Sequence, residues 1–372
     1  MLQPWLRCAG KPMAMAAVTA GRAVEAPGRP APAAAPATQV PWSAPPQQRL
    51  RQRAEVRRPA WAAVAAPVGL SWALCCSHRR GRRSPRACRR AAIALAARGS
   101  DEEVLAVASE AARAAGRIIA KKIGAEVVKT KAFAADLLTE VDGECEEVIR
   151  ATVRQAFPEH GFLGEETAGT PEATAEQLKV PGWLWVVDPI DGTTNFAAGQ
   201  PLSAVSIGVS RDGILRVGVI YDPFRDELFS AIVGKGTHLN GKAIRVSQGI
   251  KNLEHAVIAS GAPPNPKSAA PCFRAMSLLA PPRTRTIRIL GSAAVNFAWV
   301  ACGRLDAWFE PDLNAWDSAA GALLVREAGG RVTDCLGIEY VLGTRPVCAS
   351  NGAVHAELLG VIAEAGATNL DM

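Results

Sequence analysis

The sequence predicts a layered mixed α/β fold in one unit of about 270 residues, preceded by a leader of about 100. Short apolar runs of strand length cluster in the middle of that unit, and stretches with helical periodicity stand before, between and after them. With 49% hydrophobic and 21% charged residues, the chain has enough apolar surface to bury a sizeable core. No internal repeat is visible.

The leader is set apart by charge. Residues 1–100 hold 17 of the 42 Lys and Arg but only two acids, Glu25 and Glu55, a net of +15, which leaves −8 for the remainder. The overall +7 therefore belongs to the leader, and a nucleic-acid-binding reading of the acidic unit is excluded for want of a basic stripe. Residues 1–98 carry 12 of the 26 prolines and sustain neither helical nor strand periodicity, so packing does not offset their ordering entropy. Arg-rich, acid-poor composition is that of an organelle transit peptide, with the mature protein beginning near Arg98. The uncharged stretch 59–78, between Arg57-Arg58 and Arg79-Arg80, reads as a translocation signal or a weak membrane span; Pro67 and Gly69 count against the span.

The elements then follow in order. Ser100 and Glu103 form an S-x-x-E capping box before a helix over 101–123, whose Val104, Leu105, Ala108, Ala111, Ala112, Ala115, Ile118 and Ile119 recur at helical spacing. A second helix fits 143–157, closed by Pro158. Strands fit 183–187, 204–209, 215–221, 227–233 and 256–260, and Asn240-Gly241 before 242–246 is a hairpin signal. Further helices fit 293–301, 318–328 and 354–365. Nine cysteines without a C-x-x-C pair argue for buried thiols in a reducing compartment, not for zinc or disulfides. The five histidines do not cluster, and neither a serine-hydrolase elbow nor a P-loop occurs.

Chemistry concentrates in Asp188-Pro189-Ile190-Asp191-Gly192-Thr193-Thr194-Asn195-Phe196. An apolar strand ends at Asp188, Pro189 turns the chain, and Gly192 opens a helix. Two carboxylates three residues apart repel each other, and a hard cation between oxygen ligands relieves this. The N–H groups of Gly192, Thr193 and Thr194 then meet a phosphate at the positive end of the helix dipole. A plain Asx turn with a helix cap accounts for any one of these residues, but not for two Asp and two Thr together.

This segment resembles the first signature of the inositol monophosphatase family. Trp316-Asp317-Ser318-Ala319-Ala320-Gly321, continuing to Glu327-Ala328-Gly329-Gly330, resembles its second; Gly164-Glu165-Glu166 and Asp136-Leu137-Leu138-Thr139-Glu140-Val141-Asp142 match two more blocks. The resemblance spans about residues 101–365 and implies a layered α-β-α-β-α sandwich, shared with fructose-1,6-bisphosphatases, in a phosphatase domain over 99–372. It further implies Mg²⁺ held by Glu165, Asp188 and the Ile190 carbonyl. A second Mg²⁺ falls to Asp188, Asp191 and Asp317, and a third, weaker ion lies near Glu165. Thr193, oriented by Asp142 and assisted by Glu165, then positions and deprotonates the attacking water, without a covalent intermediate.

Singly these residues have plainer readings: Glu165-Glu166 a solvated acidic edge, Asp317 a helix N-cap, Asp142 a helix start, Asp136 and Lys131 a surface ion pair. The family pattern also places Glu310, seven residues before Asp317, on substrate hydroxyls, with Gly291-Ser292-Ala293-Ala294 lining the ring pocket. Both favour a small polyol phosphate such as myo-inositol 1-phosphate. Histidinol-phosphate and sugar 1-phosphate phosphatases and 3′(2′),5′-bisphosphate nucleotidases share the metal ligands and stay open. So does a non-enzymatic role, as a binding partner of transcription or RNA-processing machinery. The resemblance, strongest to plastid members through Pro346-Val347-Cys348-Ala349-Ser350-Asn351-Gly352, implies a plastid location over a mitochondrial one, a homodimer and lithium sensitivity; the low hydrophobicity of 59–78 argues against membrane attachment after processing.

Overall fold

A computed structural model describes residues 99–130 and 137–368; the leader with its 59–78 stretch, Lys131 and Asp136 lie outside the described residues. Helix α1 (Asp101–Lys122) starts at the expected capping box: the Ser100 amide donates to Glu103 Oε2 at 2.8 Å, and the Glu103 amide to Ser100 Oγ at 3.2 Å. Strands β1 (Val127–Thr130) and β2 (Leu137–Thr139) form a small antiparallel pair. Helix α2 (Glu140–Ala156) starts three residues before the expected 143, because Thr139 is its N-cap and Asp142 its third residue.

The large sheet has seven strands in chain order. Strand β3 (Gly161–Gly164) precedes the short helix α3 (Pro171–Gln177), and β4 (Trp183–Asp191) precedes the five-residue helix α4 (Thr193–Ala197). Then come β5 (Ala204–Arg211), β6 (Ile214–Asp222), β7 (Glu227–Ile232), β8 (Thr237–Leu239) and β9 (Lys242–Ile244). Only β3 and β4 run parallel; every other neighbouring pair is antiparallel. Asn240 and Gly241, both at positive φ (48° and 77°), make the expected tight turn. The central strands are covered on both faces, so they read as unbroken apolar runs. On β4, Trp183, Trp185 and Val187 join the core under α1 and α2, while Leu184 and Val186 join the core on the opposite face.

The second sheet follows 3₁₀ turn Leu253–His255. It is built with β10 (Val257–Ser260), α5 (Pro266–Leu279), β11 (Thr286–Arg288), α6 (Ala293–Ala301), β12 (Ala307–Glu310), α7 (Ala315–Glu327), β13 (Arg331–Thr333), β14 (Val347–Ser350) and α8 (His355–Glu364). Its strand order is β11-β10-β12-β14-β13. Helices α6 and α7 fill the space between the sheets, and α5 and α8 cover the outer face of the smaller one. The layers are therefore α-β-α-β-α. Among the described residues no helix is long and apolar enough to cross a membrane, and Cys145, Cys272, Cys335 and Cys348 are buried free thiols.

Two glycines bring α7 onto the large sheet at backbone distance. A Cβ on Gly208 would stand 2.5 Å from Ala319 Cβ, and one on Gly218 would stand 2.7 Å from the Ala320 carbonyl oxygen. Asp317 lies in the first turn of that same helix. Gly218→Val is expected to cost about 2–3 kcal/mol, from overpacking against backbone that has nowhere to move. A urea midpoint lowered accordingly is the check; an unchanged midpoint would mean that α7 is not seated this closely.

Candidate active site

The site begins with a fault in β4. Pro189 does not end the strand at Asp188; pairing continues to Asp191, with Asp188 opposite Ser206 and Asp191 opposite Ala204. Four residues on β4 thus face three on β5, a bulge that accommodates a proline lacking its N–H. In a regular strand, residues three apart point to opposite faces. The extra residue cancels that alternation and puts Asp188 and Asp191 on one side. Gly192 then turns the chain at φ 91°, where an added Cβ would lie 3.0 Å from the carbonyl oxygens of both Leu202 and Gly291.

Asp317 reaches the same point from α7. It is not the N-cap: Asn314 caps the helix, and Asp317 is the third residue, accepting the Asn314 amide at 2.6 Å. One carboxylate oxygen from each of Asp188, Asp191 and Asp317 lies within 4.8 Å of the others. All donors are oxygen, which suits a hard divalent cation, so these residues fit the metal that the motif implied. Backbone amides hold the other two in place as well. Asp188 accepts the Ile190 amide at 3.0 Å. Asp191 accepts the amides of Ala293 (3.3 Å) and Ala294 (2.7 Å) at the start of α6, and the Ser292 hydroxyl. Burial pushes the Asp191 carboxyl up to about 6 despite those hydrogen bonds. Burial, with Glu165 and Asp191 nearby, raises Asp317 well above the ordinary carboxylate range.

A pocket of about 640 Å³ holds these acids together with Glu165, Ile190, Gly192, Thr193, Thr194, Ser292, Ala293 and Glu310. Thr193 Oγ1 lies 3.2 Å from Asp142 Oδ1 and 3.0 Å from the Ile190 carbonyl oxygen, so its single proton has two acceptors. Asp142, almost wholly buried, is fixed by the Thr139 amide at 2.8 Å. Helix α4 is too short for a full dipole, so Gly192, Thr193 and Thr194 contribute the direction of their N–H groups. Asn195 clamps this turn, donating to the carbonyls of Leu202 (2.8 Å) and Leu290 (2.7 Å). Glu310 ends β12 against Gly261, where a Cβ would stand 1.9 Å from its carboxyl group. Burial, then Asp317, Asp191 and Asp312, push its carboxyl well up.

The structure therefore brings together every expected site residue among those described. Ser292 and Ala293, expected on the substrate ring, also hold Asp191. The sequence reading missed the outer wall, where Asp312 pairs with Arg345 and accepts Ser268 Oγ at 2.7 Å. These residues come from three separate segments, and no local pattern joins them.

Strand bulge, carboxylate cluster and helix start inside an α-β-α-β-α sandwich define a metal-dependent phosphatase. The model of the inositol monophosphatase family matches residues 100–367, and the chain belongs to that family. It is 44% identical to inositol monophosphatase 3 of Solanum lycopersicum over 265 residues, 69% of this chain and 95% of that protein. It is 40% identical to the Nus factor SuhB of Escherichia coli strain K12 over 258 residues, 69% of this chain and 94% of that one. Among solved structures, inositol monophosphate-bound SaIMPase-II, of Staphylococcus aureus, superposes with a TM-score of 0.58 at 30% identity, covering 69% of this chain and 92% of that one.

The raised Asp191 carboxyl has a consequence for stability. Its folded value, about 6, lies above the ordinary 3.8, so the metal-free fold takes up a proton relative to the unfolded chain. That contribution is complete below the ordinary value and is lost as pH rises through about 6. Asp191→Asn should therefore flatten the fall in melting temperature that the metal-free protein shows as pH rises through about 6, and remove much of the stabilisation given by an added divalent cation. Thermal melts across that pH range, with and without a divalent cation, test this; a variant that keeps the natural pH dependence and still gains full stability from the cation would contradict it.

Proposed function

We propose that this protein hydrolyses the monoester of a small phosphorylated polyol, with myo-inositol 1-phosphate the best fit, in the presence of Mg²⁺. The observation that carries the reading is the convergence of Asp188, Asp191 and Asp317, from two distant segments, on one point of the pocket. Glu165, Asp188 and the Ile190 carbonyl would hold one ion and Asp188, Asp191 and Asp317 another, with a third, weaker position near Glu165. Bound divalent cations neutralise phosphate charge, activate water and stabilise the leaving oxygen. The chain's own residues do the rest. Thr193 Oγ1 passes its proton to Asp142 Oδ1 and so accepts one from the attacking water. The Gly192–Thr194 turn directs backbone N–H groups at the phosphate, and Glu310 accepts from substrate hydroxyls.

The bound ligand of SaIMPase-II supports a polyol phosphate for this chain as well. Histidinol phosphate, a sugar 1-phosphate and a 3′(2′),5′-bisphosphate nucleotide are the competing esters. Similarity to SuhB favours a second reading, binding to transcription machinery, yet every proposed metal and water residue is retained here. The basic, acid-poor composition of residues 1–98 supports delivery of a phosphatase domain over 99–372 to an organelle, and family resemblance supports a plastid as that organelle, a homodimer and inhibition by lithium.

Phosphate release by the full-length protein, assayed on those four esters with and without Mg²⁺, tests the proposal. Mg²⁺-dependent turnover should be fastest on inositol 1-phosphate and fall at least about a hundredfold in Asp317→Asn. Glu310→Gln should raise KM for the inositol ester more than it lowers kcat. Well-folded, Mg²⁺-loaded protein that turns over none of the esters would sink the catalytic reading and favour the SuhB-like one.

A further inference from the structure

Glu146 lies on α2 one turn beyond Asp142, buried to within a few per cent of complete enclosure, and is no part of the chemistry described above. Its carboxylate accepts the Glu166 amide at 2.8 Å and Thr167 Oγ1 at 2.6 Å, and is paired with the guanidinium of Arg150. Arg150 also bonds Thr167 Oγ1 and lies 4.2 Å over the Phe162 ring. The turn and the carboxylate fit each other closely: a Cβ on Gly164 would lie 2.3 Å from Glu146 Oε2. The glycine of Gly164-Glu165-Glu166 is thus required by Glu146, not by backbone torsion, since it is absent from the positive-φ glycines.

Glu165 sits between two pinned points. Its own amide donates to the Val187 carbonyl at 3.0 Å, and the next amide donates to Glu146. Asp142, Glu146 and Arg150 follow one another at intervals of four along α2, on one helical face. The first of them fixes Thr193, and the other two fix the turn that presents Glu165. A single helix stripe therefore sets the distance between the water-handling side of the pocket and its Glu165 side.

We propose that Glu146, locked by Arg150 and Thr167, is a positioning residue that sets the divalent-cation affinity of the Glu165 side of the site. This rests on the proposed role of Glu165 as a ligand. Glu146→Gln keeps the shape but presents an NH₂ group to donors, which releases the turn. Groups that orient metal ligands through hydrogen bonds are worth about 10–100-fold in affinity, and the loss expected here is about tenfold.

The test is direct Mn²⁺ titration of the full-length protein by calorimetry, with kcat measured at rising Mn²⁺. Three proteins are compared: the natural chain, Glu146→Gln and Glu165→Gln. The proposal expects Glu165→Gln to weaken or remove binding and to stay slow at any Mn²⁺ concentration. It expects Glu146→Gln to bind the same ion about tenfold more weakly and to recover most of its kcat when Mn²⁺ saturates, a rescue that general loss of folding does not give. Thr167→Val, which removes only one donor from Glu146, should shift the same affinity about threefold and serves if the glutamine variant fails to fold. Natural Mn²⁺ affinity in a folded Glu146→Gln or Thr167→Val protein would overturn the positioning role while leaving the ligand role of Glu165 intact. Natural affinity in Glu165→Gln would overturn both.

Discussion

Three carboxylates crowded within 4.8 Å, two of them almost wholly buried, are a liability to a folded chain. Each must leave water, and each repels the other two, so the cluster survives only if other parts of the molecule carry its cost. The surrounding structure does so by one repeated device. Asp188 takes the amide of Ile190, Asp191 those of Ala293 and Ala294, and Asp317 that of Asn314. Asp142 takes the amide of Thr139, and Glu146 that of Glu166. Backbone N–H groups, several of them the orphan donors of helix starts, hold the acids in place, and Glu146 also has a cation beside it, Arg150. What these bonds leave uncompensated, as the raised Asp191 and Asp317 carboxyls indicate, a bound cation relieves.

The layered architecture explains how such donors come to one place. Helix α7 carries Asp317 and must lie close on the sheet whose β4 carries Asp188 and Asp191; Gly208 on β5 and Gly218 on β6 remove the side chains that would hold it off. Helix α6 starts where Asp191 ends β4, so its first amides meet that carboxylate. Helix α2 lies across the opposite face of the sheet, and its polar stripe supports the pocket from behind, through Thr193 and the Glu166–Thr167 turn. Stability and function are here the same packing problem. Small residues that would weaken a core are required at the contacts that bring the acids together.

Much of this was legible in the sequence, for identifiable reasons. The Ser100–Glu103 box, the 293–301 helix and the Asn240-Gly241 turn are local features, and local features carry their own signal. The acids of the site were legible because chemistry forces unusual residues together in short motifs. Boundaries at the site were misread where two roles fall on one residue. Asp317 resembles an N-cap and is instead the reciprocal partner of Asn314, and Pro189 resembles a strand end but occupies a bulge. Asp312, Arg345 and Glu146 gave no signal, since each acquires meaning only from a segment far away in the chain. Strand β3 and helix α5 were also passed over: one is four residues long, and the other carries Pro271 inside it.

The central claim is that Asp188, Asp191 and Asp317 are arranged for a cation and not merely tolerated. Anomalous diffraction from crystals of the protein soaked in Mn²⁺ addresses it without reference to turnover. The account predicts a peak within bonding distance of all three carboxylates, at about 2.0–2.4 Å, and a second peak shared between Asp188 and Glu165. Strong peaks elsewhere with none at the cluster, in crystals of protein that is active in Mn²⁺, would contradict it.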